Sequence, residues 1–307
     1  MQFGAHLPLI DFDGSGFGRD DLLSFTDTAR EAGFTAIASN DHFVFQKPWL
    51  DGIAALASVI DHSGDMMLAT TVSLPVVRGP VSLAKSAAAI DILSGGRLVL
   101  GVGPGSSARD YEAVGLSFDE RWPRLDEAIR VLRAHLRSGA PAFEGKFYDT
   151  NAPLQPRPNR PEGPPIWIGS WGSDAGLRRV ARRGDGWLAS AYNTTPEQMA
   201  AGKEKLRAHL TAAGKDAAAF PIALATMWTY VTLDAAKAAS MLDMLATMLN
   251  RDAATVREQV LIGPPAECAA KLRRHSEIGV QHVFIWPLAE ANAQVEAFMR
   301  DVAPLVG

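Results

Sequence analysis

The chain alternates between short apolar runs and longer segments whose apolar residues recur every three or four positions. The short runs, bounded by glycine, proline or polar residues, predict β-strands, and the longer periodic segments predict amphipathic helices. The predicted strands are, in order, Gln2–Leu9, Phe34–Ser39, Met66–Leu74, Arg97–Val102, Pro164–Gly169, Gly186–Ala189, Pro221–Leu233 and Gln281–Trp286. The predicted helices are Arg19–Gly33, Trp49–His62, Pro80–Leu93, Asp119–Arg137, Asp174–Arg183, Pro196–Ala213, Asp234–Asn250, Pro264–Ile278 and Ala291–Val302.

This alternation predicts an α/β fold, a (β/α)8 TIM barrel in which each strand is followed by a helix. The alternative is a doubly wound open sheet, but its usual G-x-G-x-x-G fingerprint is missing from Leu9–Gly18. Insertions are predicted after strand 4, at Ser106–Phe118, and before strand 5, at Gly139–Pro165, where Phe143–Tyr148 reads as a short hairpin. We expect the second insertion to cover the active site as a lid. No linker divides the chain, so residues 1–307 are predicted to form a single domain.

Composition excludes several classes of function. The chain has 307 residues, a net charge of −4, and 30 basic residues that form no run or stripe, which argues against a nucleic-acid surface. No apolar run is long enough to span a bilayer, and the N-terminus does not read as a signal peptide. The single cysteine, Cys268, fits a reducing compartment. We therefore expect a cytoplasmic protein that contacts neither membrane nor nucleic acid.

The segment after predicted strand 2 contains the first candidate for chemistry. Active sites of TIM barrels lie where the strands end on their carboxyl side, and Asp41 and His42 follow strand 2 there. An imidazole exchanges protons near neutral pH, so His42 is the candidate catalytic residue. Asp41 would cap the following turn or hold the imidazole. From position alone, a histidine that merely packs in a turn is an equally open interpretation.

Two glycine-rich loops provide candidate binding sites for an anion or a ring edge. After strand 4 come Gly103, Pro104, Gly105, Ser106 and Ser107, and after strand 5 come Gly169, Ser170, Trp171 and Gly172. Glycines let backbone N–H groups turn inward, and the second loop enters a helix N-terminus, which also favours anions. Tight turns use the same residues, but two such loops on adjacent strands indicate a ligand with a ring and a phosphate. Further aromatic walls are expected among Trp171, Trp228 and Trp286.

Other enzyme chemistries lack their motifs. The seven histidines form no H-x-H and no i, i+4 helical pair, so the ligands of a zinc hydrolase barrel are missing and no metal site is predicted. There is also no G-x-S-x-G nucleophile elbow and no G-K-[ST] phosphate loop. An unrelated barrel hydrolase is therefore disfavoured.

Several separated blocks, in the expected order, resemble the luciferase-like monooxygenase superfamily. This superfamily includes bacterial luciferase, flavin-dependent monooxygenases and oxidoreductases that use the deazaflavin coenzyme F-420 (also written F420). The blocks are Ala29–Phe34 leading to Asp41-His42, Val77–Pro80, Ala84-Lys85, Ile92–Arg97, Leu100–Gly103, Arg121 with Asp126-Glu127, Pro164–Gly169, Gly184–Trp187 and Gly263–Pro265.

The resemblance implies a (β/α)8 barrel with a flavin or deazaflavin ring at the carboxyl ends of the strands. It implies a non-prolyl cis peptide behind the ring at Thr71–Val72, a site histidine at His42, and ring or phosphate contacts from both glycine-rich loops. Sugar-phosphate dehydrogenases of the family carry a catalytic glutamate where this chain has Ser106, so that activity is not expected. The luciferase block Glu-His-His reads Asn40-Asp41-His42 here, which favours the deazaflavin branch. Relatives are usually homodimers.

Two functions of different class follow from these observations. The first is an oxidoreductase that uses FMN to oxygenate, or coenzyme F-420 to transfer a hydride to, a small organic molecule. In the deazaflavin, carbon replaces a ring nitrogen, so dioxygen is not readily activated and hydride transfer is expected. The alternative is a non-catalytic flavin-binding protein of the same fold. The substrate is not predicted, because variable loops build the pocket.

Overall fold

A computed structural model describes residues 1–150 and 152–307 and shows a closed parallel barrel. Each strand from β1 to β7 pairs in parallel with the next, and β9 pairs with both β7 and β1, which closes the ring. The predicted (β/α)8 TIM barrel is confirmed. The barrel strands are β1 (Gln2–His6), β2 (Ala36–Ser39), β3 (Met67–Thr70), β4 (Leu98–Val102), β5 (Ile166–Gly169), β6 (Gly186–Ser190), β7 (Ile222–Val231) and β9 (His282–Pro287).

Helices connect these strands on the outside of the barrel. Several begin with a side-chain cap, such as Thr195, whose hydroxyl accepts from the amide of Gln198 while the Gln198 side chain accepts from the amide of Thr195. The helices are α1 (Arg19–Ala32), α2 (Gly52–Ser58), α3 (Pro80–Leu93), α4 (Ala108–Glu112), α5 (Arg121–Leu136), α6 (Asp174–Arg183), α7 (Pro196–Ala212), α8 (Ala235–Leu249), α9 (Ala253–Gln259), α10 (Pro265–Ile278) and α11 (Ala291–Ala297). Within the described residues, no helix combines the length and apolarity that a membrane crossing requires.

Two short α-helices and one short strand of the described chain were not predicted. Helix α4 lies in the insertion after β4, and helix α9 precedes a three-residue strand, β8 (Leu261–Gly263). Strand β8 pairs with the end of β7 at Thr229–Val231 and so extends the sheet outside the ring. Such short segments have too few residues for a hydrophobic period to identify them.

Large and small side chains alternate inside the barrel. The interior cluster contains Ala36, Ala38, Ala69, Val99, Trp167, Leu188, Ala223, Ala225 and Phe284. A Cβ on Gly4 would lie 2.4 Å from the Phe284 ring, and one on Gly186 would lie 2.4 Å from Trp167. Glycine at these positions therefore makes room for the two rings that fill the barrel below its carboxyl end.

The insertion before β5 is not a lid, so this prediction was wrong. None of its described residues lines the cavity at the carboxyl ends of the strands. The reason is topological, because a connection from a helix to the next strand arrives at the amino end of that strand. Arg160 accordingly bonds the carbonyl of Leu98 at the start of β4. The predicted hairpin is reduced to one antiparallel bridge between Glu144 and Asp149.

Candidate active site

A cavity of about 440 Å³ lies at the carboxyl ends of strands β2 to β7. Its wall contains all of the predicted site residues except Ser107 and Gly172, which lie in the same two loops but outside the lining. The predicted residues that line it are Asp41, His42, Thr71, Val72, Gly103, Pro104, Gly105, Ser106, Gly169, Ser170 and Trp171. The two glycine-rich loops thus meet at one cavity, as their place after adjacent strands requires.

His42 is held by a carboxylate from the insertion after β4. Its Nδ1 lies 2.8 Å from Oδ2 of Asp110, a residue of α4 whose side chain is fully buried. The other oxygen of Asp110 accepts from the backbone amides of Phe43 (2.9 Å) and Val44 (2.8 Å). Burial disfavours the charged form of Asp110, but these hydrogen bonds outweigh it, and the pKa of this carboxyl is lowered.

The pairing determines which ring nitrogen of His42 carries the proton. An ionised carboxylate only accepts hydrogen bonds, so Nδ1 of His42 is the donor. In the neutral imidazole the other nitrogen, Nε2, then has a free lone pair, and no described residue hydrogen-bonds it. The imidazole packs edge-on against Trp49, with 4.7 Å between ring centroids. A histidine fixed in this way, with 17% of its side chain exposed at the cavity, is suited to accept or donate a proton there.

Asp41 neither holds the imidazole nor caps the following turn, so both roles expected from the sequence were wrong; Asp110 takes both places. Its carboxylate binds the guanidinium of Arg78 through two bonds, of 2.5 and 2.7 Å, and also accepts from the amide of Leu74. Arg78 bridges further to Asp51, which caps α2. The ion pair offsets the charge of Asp41, so this residue fixes the wall of the cavity and adds little net charge to it.

The peptide bond between Thr71 and Val72 is cis, as the family resemblance implies. The amide of Val72 donates to Oδ1 of Asn40 (3.2 Å), which also accepts from the amide of Asp41 (2.7 Å). The Nδ2 group of Asn40 is left without a partner among the described residues, at the cavity wall. Gly103 allows this segment to pack closely, since a Cβ there would lie 2.9 Å from the Val72 side chain.

Backbone amides of both glycine-rich loops are available to a ligand. Within the described chain, the amides of Gly105, Ser106 and Trp171 donate to no protein acceptor. Gly105 has a φ of +78°, a left-handed conformation that turns its amide away from the strand direction. The second loop leads into α6, whose first turn is capped by Ser173. These donors and the helix N-terminus make this side of the cavity attractive to an anion.

Several cavity residues were missed as site residues by sequence reasoning. Arg121 lines the cavity without forming an ion pair to any described residue, and its guanidinium lies over the Phe118 ring at 4.1 Å. Asp110, which holds His42, had no signal at all, because a lone aspartate in an insertion resembles a solvated loop residue. Arg121 had a signal, since it belongs to one of the blocks that resemble the family. The other additional lining residues are Asn40, Leu74, Phe118, Trp122, Ser173, Leu188, Ala189, Ser190, Tyr192, Ala225 and Thr226.

Of the three tryptophans expected to wall a ring, only Trp171 lines this cavity, and 60% of it is exposed. Trp228 and Trp286 are buried and stack on each other with 4.5 Å between ring centroids. They are core residues with respect to this cavity. No group of three or more histidine, cysteine, aspartate or glutamate side chains in the described part of the chain is arranged to hold a metal ion.

Comparison with known proteins identifies the family. The family model described as luciferase-like monooxygenase matches residues 11–282. The chain therefore belongs to the luciferase-like monooxygenase family, as the sequence blocks predicted. The predicted class, a flavin- or deazaflavin-dependent oxidoreductase, is confirmed with it.

Individual relatives cover nearly the whole chain. An F420-dependent glucose-6-phosphate dehydrogenase from Amycolatopsis mediterranei is 26% identical over 94% of this chain and 95% of the relative. Among solved structures, an F420-dependent secondary alcohol dehydrogenase has a TM-score of 0.87 at 20% identity, covering 100% of this chain and 99% of the other. Monooxygenase RslO1 from Streptomyces bottropensis has a TM-score of 0.87 at 22% identity and covers 100% of both chains. The two structures show a shared fold.

Proposed function

We propose that this protein binds the deazaflavin coenzyme F-420 and transfers a hydride between it and a small organic molecule. One observation carries the proposal: a proton-transfer group, His42, faces the same cavity as the free amides of two glycine-rich loops. The F420-dependent enzymes among the relatives support this cofactor over FMN. F-420 is also favoured over FMN by the sequence Asn40-Asp41-His42, which stands where the luciferases have Glu-His-His.

The residues present fit such a cofactor. A flat ring would rest against Thr71 and Val72, where Gly103 and Gly169 add no side chain above the backbone. The cofactor's phosphate would lie towards the amides of the two loops and Arg121, a cation of the cavity wall that pairs with no described carboxylate. Trp171 at the mouth would restrict the entry of water. When bound, the ring supplies or accepts a hydride.

His42 would accept or donate the proton that is transferred together with the hydride. Its Nε2 accepts a proton from a substrate hydroxyl in oxidation, or returns it to a carbonyl oxygen in reduction. Asp110 keeps the imidazole in the required tautomer and stabilises it when it becomes charged. We propose a substrate other than a sugar phosphate, because the exposed Ser106 stands where the sugar-phosphate dehydrogenases place a glutamate.

A titration of the purified protein with F-420 and with FMN tests the cofactor. We expect tighter binding of F-420, and we expect Arg121→Gln to raise its Kd about 10- to 150-fold, as the loss of a charge-assisted bond of ~1.5–3 kcal/mol implies. The same deazaflavin without its phosphate should bind wild type and Arg121→Gln equally. Arg109→Gln is the matched control, because Arg109 is an exposed arginine of the neighbouring helix α4 that does not line the cavity.

Binding of FMN with oxygen uptake, and no binding of F-420, would instead assign the flavin monooxygenase function. Binding of either ring without turnover, together with no effect of His42→Ala on any substrate tested, would assign a non-catalytic flavin-binding protein. If neither ring binds, the proposal is refuted.

The setting of this activity is also proposed. We propose that residues 1–307 act as one catalytic domain, that two copies form a homodimer, and that the enzyme works in the cytoplasm without nucleic-acid partners. The net charge of −4 and the scattered basic residues argue against nucleic-acid partners, and the single cysteine fits the reducing cytoplasm. Two-fold dimers are the commonest assembly among soluble oligomers. Light scattering on a size-exclusion column would measure the oligomeric state.

A further inference from the structure

The end of strand β1 places a buried histidine next to the cavity wall. His6 is fully buried and stacks on Trp286, with 4.3 Å between ring centroids and 10° between the planes. Its Nε2 lies 2.7 Å from Oγ1 of Thr71, which lines the cavity. Its Nδ1 is buried and has no partner among the described residues. His6 does not line the cavity itself, and the function proposed above does not use it.

His6 carries a single ring proton, because burial lowers its pKa to about 3 and keeps the imidazole neutral. Two arrangements are therefore possible. If Nδ1 carries the proton, its buried N–H group has no acceptor, and the Thr71 hydroxyl donates its only hydrogen to Nε2. If Nε2 carries the proton, it donates to Thr71, and only a lone pair on Nδ1 is unsatisfied. The second arrangement is favoured, because orphaned buried N–H donors are rarer than under-satisfied acceptors.

In the favoured arrangement the hydrogen of the Thr71 hydroxyl is available to a ligand. Its protein acceptor is the carbonyl of Ser39, at 3.4 Å, which is long for a hydroxyl donor, since such bonds normally measure about 2.5–3.0 Å. That carbonyl is already satisfied by the amide of Thr71 at 2.7 Å. The hydroxyl can therefore turn to a better acceptor in the cavity at little cost.

We propose that His6 is a positioning residue that keeps the Thr71 hydroxyl as a hydrogen-bond donor to an acceptor atom of the ring bound in the cavity. The inference rests on the proposed function, because it needs a bound ring. It adds to that function a buried residue that acts on the ring only through Thr71. Its signature is a change in ring binding and in the ring's absorption spectrum, with turnover as a secondary consequence.

The test is a binding titration, with absorption spectra, of whichever oxidised ring the wild type binds. His6→Phe keeps a ring stacked on Trp286 but removes both nitrogens, and we expect Kd to rise ~3- to 10-fold, the value of one neutral hydrogen bond. Thr71→Val removes the hydroxyl at nearly constant shape and should have an effect at least as large. His6→Gln returns a donor near Thr71, and Thr71→Ser returns the hydroxyl, so both should bind within about two-fold of wild type.

The double variant His6→Phe/Thr71→Val separates positioning from a general structural role. If His6 acts through Thr71, the double variant binds like Thr71→Val alone, and both single variants lose the same spectral shift of the bound ring. The inference is overturned if His6→Phe binds with the wild-type Kd and spectrum, or if the two effects add. It is also overturned if His6→Gln and His6→Phe weaken binding equally while both lower the melting temperature of the ligand-free protein.

If His6→Phe does not fold, His6→Leu removes both ring nitrogens in its place and is compared with His6→Gln. A Kd raised ~3- to 10-fold in His6→Leu, with binding near the wild-type value in His6→Gln, supports the inference, and equal binding of the ring by the two variants overturns it. A wild type that binds neither ring overturns the proposed function, which is a different result from a wild type that binds and a His6→Phe variant that binds equally well.

Discussion

Replacing Asp110 by asparagine changes the hydrogen bonds around His42 while keeping the side-chain shape. The carboxylate accepts three bonds, from Nδ1 of His42 and from the amides of Phe43 and Val44. An asparagine has one acceptor oxygen and one NH2 group. With its oxygen on the two backbone amides, its NH2 group faces Nδ1 of His42, and two donors then meet. We expect His42 to move its proton to Nε2 to relieve this conflict.

The size of the effect follows from the bonds that are lost. One charge-assisted hydrogen bond of ~1.5–3 kcal/mol is replaced by a neutral one of ~0.5–1.5 kcal/mol, so the unfolding free energy of Asp110→Asn should fall by about 1–2 kcal/mol. The unfolding free energy of Asp110→Ala should fall further, because this variant leaves the amides of Phe43 and Val44 without an acceptor. Each unsatisfied amide costs ~1–3 kcal/mol if water does not reach it. We therefore predict that the unfolding free energy decreases from wild type to Asp110→Asn to Asp110→Ala.

Two measurements check this reasoning. Nitrogen-15 chemical shifts of the labelled imidazole distinguish Nδ1–H from Nε2–H, and urea unfolding gives the free-energy differences. Asp27→Asn is the matched control, because Asp27 pairs with Nδ1 of His62 at 2.7 Å in a half-exposed setting. An exposed pair contributes ~0–1 kcal/mol, so the control should stay within that range. If His42 keeps Nδ1–H in Asp110→Asn at wild-type stability, Asp110 does not set its tautomer.

Three further outcomes are expected. Gly103→Ala should lower the unfolding free energy by ~1–3 kcal/mol and weaken ring binding, because the new Cβ would lie 2.9 Å from Val72, as urea unfolding and a ring titration would show. Tyr111→Phe should cost ~0.5–1.5 kcal/mol in a thermal melt, through loss of the 2.5 Å bond from its hydroxyl to the carbonyl of Pro104. The difference in unfolding free energy between wild type and Asp110→Asn should have its full value at pH 7 and shrink below pH ~4. The reason is that the lowered pKa of the Asp110 carboxyl stabilises the fold only while this group is ionised. An unchanged difference in unfolding free energy at pH 3 would contradict this expectation.

The sequence determined most of the fold, because hydrophobic period is a local property. Each strand of the ring was predicted within a few residues, and their uniform alternation with helices allowed few topologies other than a closed parallel barrel. It also determined the end of the barrel at which the candidate site residues lie. Both glycine-rich loops and His42 follow strands, so parallel pairing brings them to one edge, where they line a common cavity.

Only the tertiary structure decided which side chains meet. Asp110 and His42 are 68 residues apart, and Thr71 and His6 are 65 apart. No local pattern distinguishes Asp110 from a solvated loop residue or His6 from an ordinary core histidine. The mistaken lid is a different case, because the predicted order of helix, insertion and strand already leads Gly139–Pro165 to the amino end of strand 5, and only the length of the insertion suggested a lid. The hydrophobic period of a segment indicates which of its faces is buried. A hydrogen bond across the barrel depends instead on the relative positions of segments that are distant in the sequence.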